Sequence, residues 1–398
     1  MVLRAGREFL AIPGPTTVPD EVLRAMHRPA IDIYAGELVG ITHSILADLK
    51  TLFRTGGTTY IYIANGHGAW EAVLTNILSR GDKVLVLESG RFATGWGEQA
   101  ARLGVGVEVL PGEWSRAVDP ASVEQRLRAD KGGAIKAILV VQVDTASGVV
   151  NDIPRIAHAI RSSGHAALLC VDAVASLGCM PFDMDAWGVD VAMAASQKGL
   201  MTPPGLAFVA ANARAKAAHS KAALRTPYWD WTARDMDEHY RKYAGTAPVH
   251  LLFGLRRALD LMQAEGLEAI HLRHALLAGA VRAAVGAWAE GGALSLNIAR
   301  ENERSNTVTA IRVGEGRDPR PLVDFCRETC GVVLGTALGA LAGKAFRIAH
   351  MGHVNAPMVL GTLATVEVAQ KALGWPVPVS GIAAAAAHLA KTVPIKQG

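Results

Sequence analysis

Six short apolar runs, at 83–87, 106–110, 137–143, 167–171, 189–194 and 206–210, are separated mostly by stretches of helix length. An apolar run bounded by turn residues reads as a strand buried on both faces. Strands alternating with amphipathic helices predict a mainly parallel, doubly wound α/β sheet. This pattern constrains the chain most, because ligands of such sheets sit outside the carboxyl ends of the strands. Two of those ends carry chemistry. Leu-Leu-Cys-Val closes on Asp172, and Val-Asp-Val-Ala-Met-Ala-Ala closes on Ser196, Gln197 and Lys198. An acid and an amine, 26 positions apart, are therefore expected to face one crevice.

An aspartate can hold a pyridinium proton, and a lysine can form a Schiff base. Pyridoxal phosphate requires both. Taken singly, each has a commoner role: an aspartate after a strand caps a turn, and a lone lysine is a solvated charge. The rest of the chain decides between these readings.

The run Tyr60-Ile-Tyr-Ile-Ala-Asn65 reads as a further strand, followed by Gly66-His67-Gly68. A helix is expected to begin near Ala69, with Trp70, Val73, Leu74, Ile77 and Leu78 at helical spacing. Residues 1–20 form a Pro/Gly-punctuated arm, and Asp20 can cap the helix through Val22, Leu23 and Met26. Further helices are expected over 44–53, 120–129, 153–162, 248–262 and 267–290. Beyond them come strands at 307–313, 332–335 and 345–349, with helices at 321–330 and 356–373. A chain of 398 residues exceeds one ordinary core. The expected division is the arm, a large domain over 21–265 and a smaller α+β domain over 266–398.

Composition narrows the function. Hydrophobic residues make up 50% and charged residues 19%, which fits a well-buried enzyme. The net charge of +4 is scattered, so no nucleic-acid partner is expected. Cys170, Cys179, Cys326 and Cys330 lack metal-ligand spacing and read as reduced thiols; no metal is expected. Arg4, Arg7 and Glu8 break the first apolar stretch, and the Ala-rich segment 382–390 is too short to cross a membrane. The chain ends Lys396-Gln397-Gly398, which is not a peroxisomal signal. A cytoplasmic location is expected.

Other candidates lie at element ends. Gly66-His67-Gly68 can present backbone N–H groups and a helix dipole to a phosphate. A dinucleotide fingerprint needs glycine at position 71, which is Glu71. Phe92 follows a strand and can stack on a flat ring, although core packing is commoner. Asp144-Thr145-Ala146-Ser147-Gly148 is a turn with a usable hydroxyl. Tyr243 and Thr246 precede the 248–262 helix and offer hydroxyls. Arg347 sits in an apolar strand, where it needs a salt-bridge partner or a bound carboxylate.

Together these segments resemble the class V aminotransferases, which are fold type I pyridoxal-phosphate enzymes, and within them the serine–glyoxylate and alanine–glyoxylate group. The resemblance spans almost the whole chain. It rests on Pro13-Gly14-Pro15, Asn65-Gly66-His67-Gly68, Asp144 to Gly148, Val171-Asp172-Ala173-Val174-Ala175-Ser176, Ser196-Gln197-Lys198-Gly199 with Pro203-Pro204-Gly205, and Phe346-Arg347-Ile348. It implies that Lys198 carries the cofactor and that Asp172 pairs with its ring nitrogen. Gly66, His67 and Gln197 serve the phosphate, with Gly68 in the same loop. Phe92, where relatives often have Trp, stacks on the ring, and Thr145 lies close to it. Tyr243 and Thr246 reach the neighbouring subunit's cofactor, which implies a homodimer. Arg347 holds the substrate carboxylate, with the Gly14 backbone nearby. Many relatives have Asp-His-Arg-Ser where this chain reads Asp32-Ile33-Tyr34-Ala35, near the substrate entrance.

The implied activity is ping-pong transfer of an amino group from a small L-amino acid (serine or alanine, then aspartate) to glyoxylate or pyruvate. Three alternatives stay open from the residues alone. They are another pyridoxal-phosphate chemistry such as a lyase or desulfurase, a nicotinamide-dependent dehydrogenase, and a non-catalytic pyridoxal-phosphate-binding regulatory domain.

Overall fold

Seven strands form the larger sheet, in the order Thr58–Ala64, Gly205–Ala211, Val191–Ala195, Leu168–Asp172, Ile135–Val141, Lys83–Leu87, Gly106–Leu110. Gly205–Ala211 runs antiparallel to both its neighbours, and every other pairing is parallel. The computed structural model describes residues 3–392. The chain end at 396–398, considered above for a targeting signal, lies outside them, as do the outer limits of the arm and of the smaller expected domain.

The apolar runs are strands because both faces are covered. On Leu168–Asp172 and Val191–Ala195 every residue is buried. Successive side chains of a strand point to opposite faces. Thus Ile138, Leu169, Val171, Ala192 and Phe208 join one core with Ile45 and Leu49 of the helix Glu37–Phe53 and Leu252 and Leu259 of the helix Val249–Glu265. The alternate residues, Leu139, Cys170, Val191, Met193 and Val209, join a second core with Val73, Leu74 and Trp96 from the helices Gly66–Ile77 and Arg91–Arg102. Burying one such side chain contributes about 1.5–3 kcal/mol, so register is fixed by many of them at once.

The second sheet runs Phe9–Ala11, Val332–Thr336, Ala345–Ala349, Val308–Val313, Leu294–Leu296. Ile311, Leu334, Phe346 and Ile348 pack there against Val281 and Trp288 of the helix Leu267–Ala289 and Leu363 of Ala356–Ala372.

Several elements differ from expectation. The arm contains a strand, Phe9–Ala11, parallel to Val332–Leu334 of the second sheet. The helix expected over 44–53 starts at Glu37, because Leu38 and Thr42 extend its buried face. The helix expected near Ala69 starts at Gly66, where Asn65 caps it. The run 137–143 is split: Ile135–Val141 ends, and Val143–Asp144 pairs with Val149–Val150 as a hairpin. The segment 321–330 is an α-helical turn, Arg320–Asp324, continued by a π-helix, Phe325–Thr329.

Candidate active site

Asp172 ends its strand, and Lys198 follows the parallel neighbour three residues beyond Ala195. Both line one cavity of about 260 Å³, together with Gly66, His67, Trp70, Phe92, Thr145 and Gln197. The two apolar runs thus deliver an acid and an amine to one crevice.

The acid end is held by two N–H donors. Trp70 Nε1 donates to Asp172 Oδ2 at 2.7 Å, and the Val174 amide donates to Oδ1 at 2.8 Å. Burial pushes the Asp172 carboxyl up to about 6, while the Val174 and Trp70 bonds and the Lys198 charge oppose it. Burial also pulls the Lys198 amine down to about 8; Arg347 adds to that and Asp172 opposes it. Lys198 Nζ donates to the Pro13 carbonyl. The Thr16 amide and hydroxyl donate to the Gln197 and Lys198 carbonyls at 3.0 Å each, tying the segment after the first strand to the lysine loop.

The opposite end is a helix start. Asn65 Oδ1 accepts from the His67 and Gly68 amides at 3.0 and 3.4 Å. The His67 ring lies 4.5 Å from the Trp70 ring, and burial, then the Arg91 and Lys198 charges, lower its pKa. The Gln197 Oε1 atom is buried without a partner among the described residues.

Asp144 organises a third wall. Its carboxylate accepts from the Phe92, Ala93 and Ala146 amides at 2.9, 3.0 and 3.0 Å. This caps the helix Arg91–Arg102 and fixes Phe92 at the cavity. Burial, opposed by those amides, raises the Asp144 carboxyl to about 6.

Arg347 comes from the second sheet. Its Nε donates to the Thr336 carbonyl and its Nη1 to the Thr145 carbonyl, both at 2.9 Å. It therefore ties the second sheet to the turn between Asp144 and Val149 that carries Thr145, and its charge acts on Lys198. Burial lowers its pKa to about 10, with Asp144 opposing.

Five expected site residues are outside the lining of this cavity: Gly14, Arg347, Gly68, Tyr243 and Thr246. A Cβ on Gly68 would come within 2.7 Å of the Ala64 side chain, so close packing accounts for the glycine. Tyr243 is buried, its hydroxyl 2.7 Å from Thr42 Oγ1. Thr246 is exposed. Conversely, sequence reasoning passed over Trp70, Asn65, Pro13 and the carboxylate of Asp144. The available signal was that Trp70 lies one helical turn beyond Gly66 and so shares its face.

A family model, aminotransferase class-V, matches residues 9–342. The chain belongs to the class-V aminotransferases. A serine–glyoxylate aminotransferase of Methylorubrum extorquens is 40% identical over 393 residues, covering 97% of each chain. An L-aspartate–glyoxylate aminotransferase of Paracoccus denitrificans is 40% identical over 390 residues, again covering 97% of each. The solved structure of a pyridoxamine–pyruvate aminotransferase from Mesorhizobium loti superposes with a TM-score of 0.89 at 28% identity, covering 99% of this chain and 100% of that one.

This aminotransferase uses pyridoxal phosphate and has the fold type I architecture. Its residues fit that group. The cavity offers a carboxylate, an amine, aromatic walls and a helix start. Gln197 lines the same cavity, and its side-chain amide carries N–H donors that a phosphate can accept.

Proposed function

We propose that the protein transfers the amino group of a small L-amino acid, serine or alanine first and aspartate next, to glyoxylate or pyruvate in a ping-pong cycle. The observation that carries this reading is Lys198 and Asp172 lining one cavity, with the Arg347 charge acting on the lysine. The relatives named serine–glyoxylate and L-aspartate–glyoxylate aminotransferases support the acceptor and the donor class.

Pyridoxal phosphate, when bound, supplies an electron sink for the charge left at the substrate α-carbon. Lys198 would hold the cofactor and, once released, take the α-proton at Nζ. Lowering the amine from 10.5 to about 8 raises its neutral fraction near physiological pH well above that of an ordinary lysine, which favours a role as base. Asp172 would keep the ring nitrogen protonated. Phe92 would stack on the ring beside Thr145, and Gly66, His67 and Gln197 would receive the phosphate. Arg347 would bind the substrate carboxylate, with the Gly14 backbone nearby.

The same reading includes a cytoplasmic homodimer, with an arm over 1–20 and domains over 21–265 and 266–398. Thr246 is exposed, as a contact to a second subunit's cofactor requires. Tyr243 would have to leave Thr42 to join it. Among the described residues no helix is long and apolar enough to cross a membrane. A desulfurase would need an accessible thiol, whereas Cys170, Cys179 and Cys326 are buried and Cys330 is half-buried.

The test is a two-stage turnover. Purified protein is mixed with serine, alanine or aspartate alone, and keto acid and pyridoxamine phosphate are measured before glyoxylate is added. Absence of a half-reaction with every amino acid tried would sink the reading.

A further inference from the structure

One indole touches both ends of the cavity. Trp70 donates to Asp172 Oδ2 at 2.7 Å and packs its ring 4.5 Å from His67. It is locked in place by Trp96, stacked at 6.2 Å, and by Phe92, edge-on at 6.4 Å. Among the described residues Trp70 is the one side chain hydrogen-bonded to the Asp172 carboxylate; the other donor is the Val174 amide.

We propose that Trp70 is a positioning residue that holds Asp172 ionised and aimed at the nitrogen end of the cofactor cavity. This rests on the function proposed above. A carboxylate has about four acceptor positions. Trp70 and Val174 occupy one on each oxygen, which fixes the plane of the group and leaves acceptor capacity toward the cavity that Asp172 lines. A buried carboxylate without donors takes up a proton instead of staying charged. An arginine or lysine in place of Trp70 would also stabilise the anion, but its positive charge would repel a protonated ring nitrogen. An indole N–H stabilises the anion with no net charge.

Trp96 supplies a control inside the same stack. It is also buried, yet its Nε1 has no partner among the described residues. Losing the Trp96 indole changes packing; losing the Trp70 indole also removes the donor.

The experiment compares wild type, W70F, W96F and a variant carrying benzothienylalanine at position 70, in which sulfur replaces the N–H while the ring keeps its shape. In cofactor-free protein, ¹³C-carboxyl NMR follows Asp172, assigned by its absence in D172N. The expected result is a higher titration midpoint in W70F and in the sulfur isostere, with W96F unchanged. Affinity for added pyridoxal phosphate should fall about tenfold or more in the same two proteins. Unchanged titration and affinity in the sulfur isostere would overturn the inference, even if W70F misfolds. A wild type that takes up no pyridoxal phosphate would instead sink the function reading, and the carboxyl titration would still decide the role of Trp70.

Discussion

Gly14 and Lys198 share one space: a Cβ on Gly14 would lie 2.5 Å from Lys198 Nζ. Gly14 also has φ +108°, which L side chains rarely adopt. The first segment after the Phe9–Ala11 strand is therefore shaped around the amine. Gly14→Ala should displace the lysine and cost about 1–3 kcal/mol of stability. Thermal unfolding measures the loss, and the fraction of cofactor trapped on Lys198 by borohydride measures the displacement. Full trapping with unchanged unfolding would contradict this account.

Asp172 gives a pH dependence of defined sign. Its folded pKa is raised from 3.8 to about 6, chiefly by burial. Between those values the folded chain binds more protons than the unfolded chain, so stability is lost as pH rises through that window. The slope approaches about 1.4 kcal/mol per pH unit for one group. Asp144 is raised through the same window, so wild type must be compared with D172N. In cofactor-free protein the stability of wild type relative to D172N should fall between pH 4 and 6. A flat difference would place the Asp172 midpoint elsewhere.

The sequence revealed these two groups because each ends a run whose burial can be read locally. Asp172 and Lys198 follow strands with every residue buried, and strand order then brings their ends together. Trp70 escaped because its spacing already satisfies helix packing, and its polar partner is 102 positions away. Phe9–Ala11 escaped for a related reason: three residues carry little periodicity, and their pairing with Val332–Leu334 is non-local. The hydroxyl of Tyr243 was legible as a polar handle, but not its burial against Thr42.

Arg347 is pre-aimed by two backbone carbonyls, those of Thr336 and Thr145. Arg347→Ala should remove the carboxylate anchor and leave both carbonyls without that partner. A hydrogen bond to a charged group contributes about 1.5–3 kcal/mol, a factor of roughly 10–150. The expected effect is a rise of that size in the KM for the amino donor, with a smaller change in kcat. Steady-state kinetics with serine and alanine distinguish the two. An unchanged KM would remove Arg347 from substrate binding.

The strand Phe9–Ala11 links the second sheet to the lysine loop. Its pairing with Val332–Leu334 sets where Pro13 begins, and Pro13 supplies the carbonyl that receives Lys198 Nζ. Deleting residues 3–11 should therefore act at two distances. Locally, it exposes the edge of Val332–Thr336 and removes the buried Ala11; an unpaired edge favours association, which light scattering detects. Farther away, Pro13 and Gly14 lose their anchor beside Lys198, so the borohydride-trapped fraction should fall and the donor KM should rise. Val333→Pro tests the same link without shortening the chain: the Phe9 amide donates to the Gly331 carbonyl, so in this parallel register the Val333 amide faces Phe9, and proline cannot donate there. If either variant aggregates while the lysine chemistry of its soluble fraction stays intact, the strand serves the edge alone and its connection to the active site is wrong.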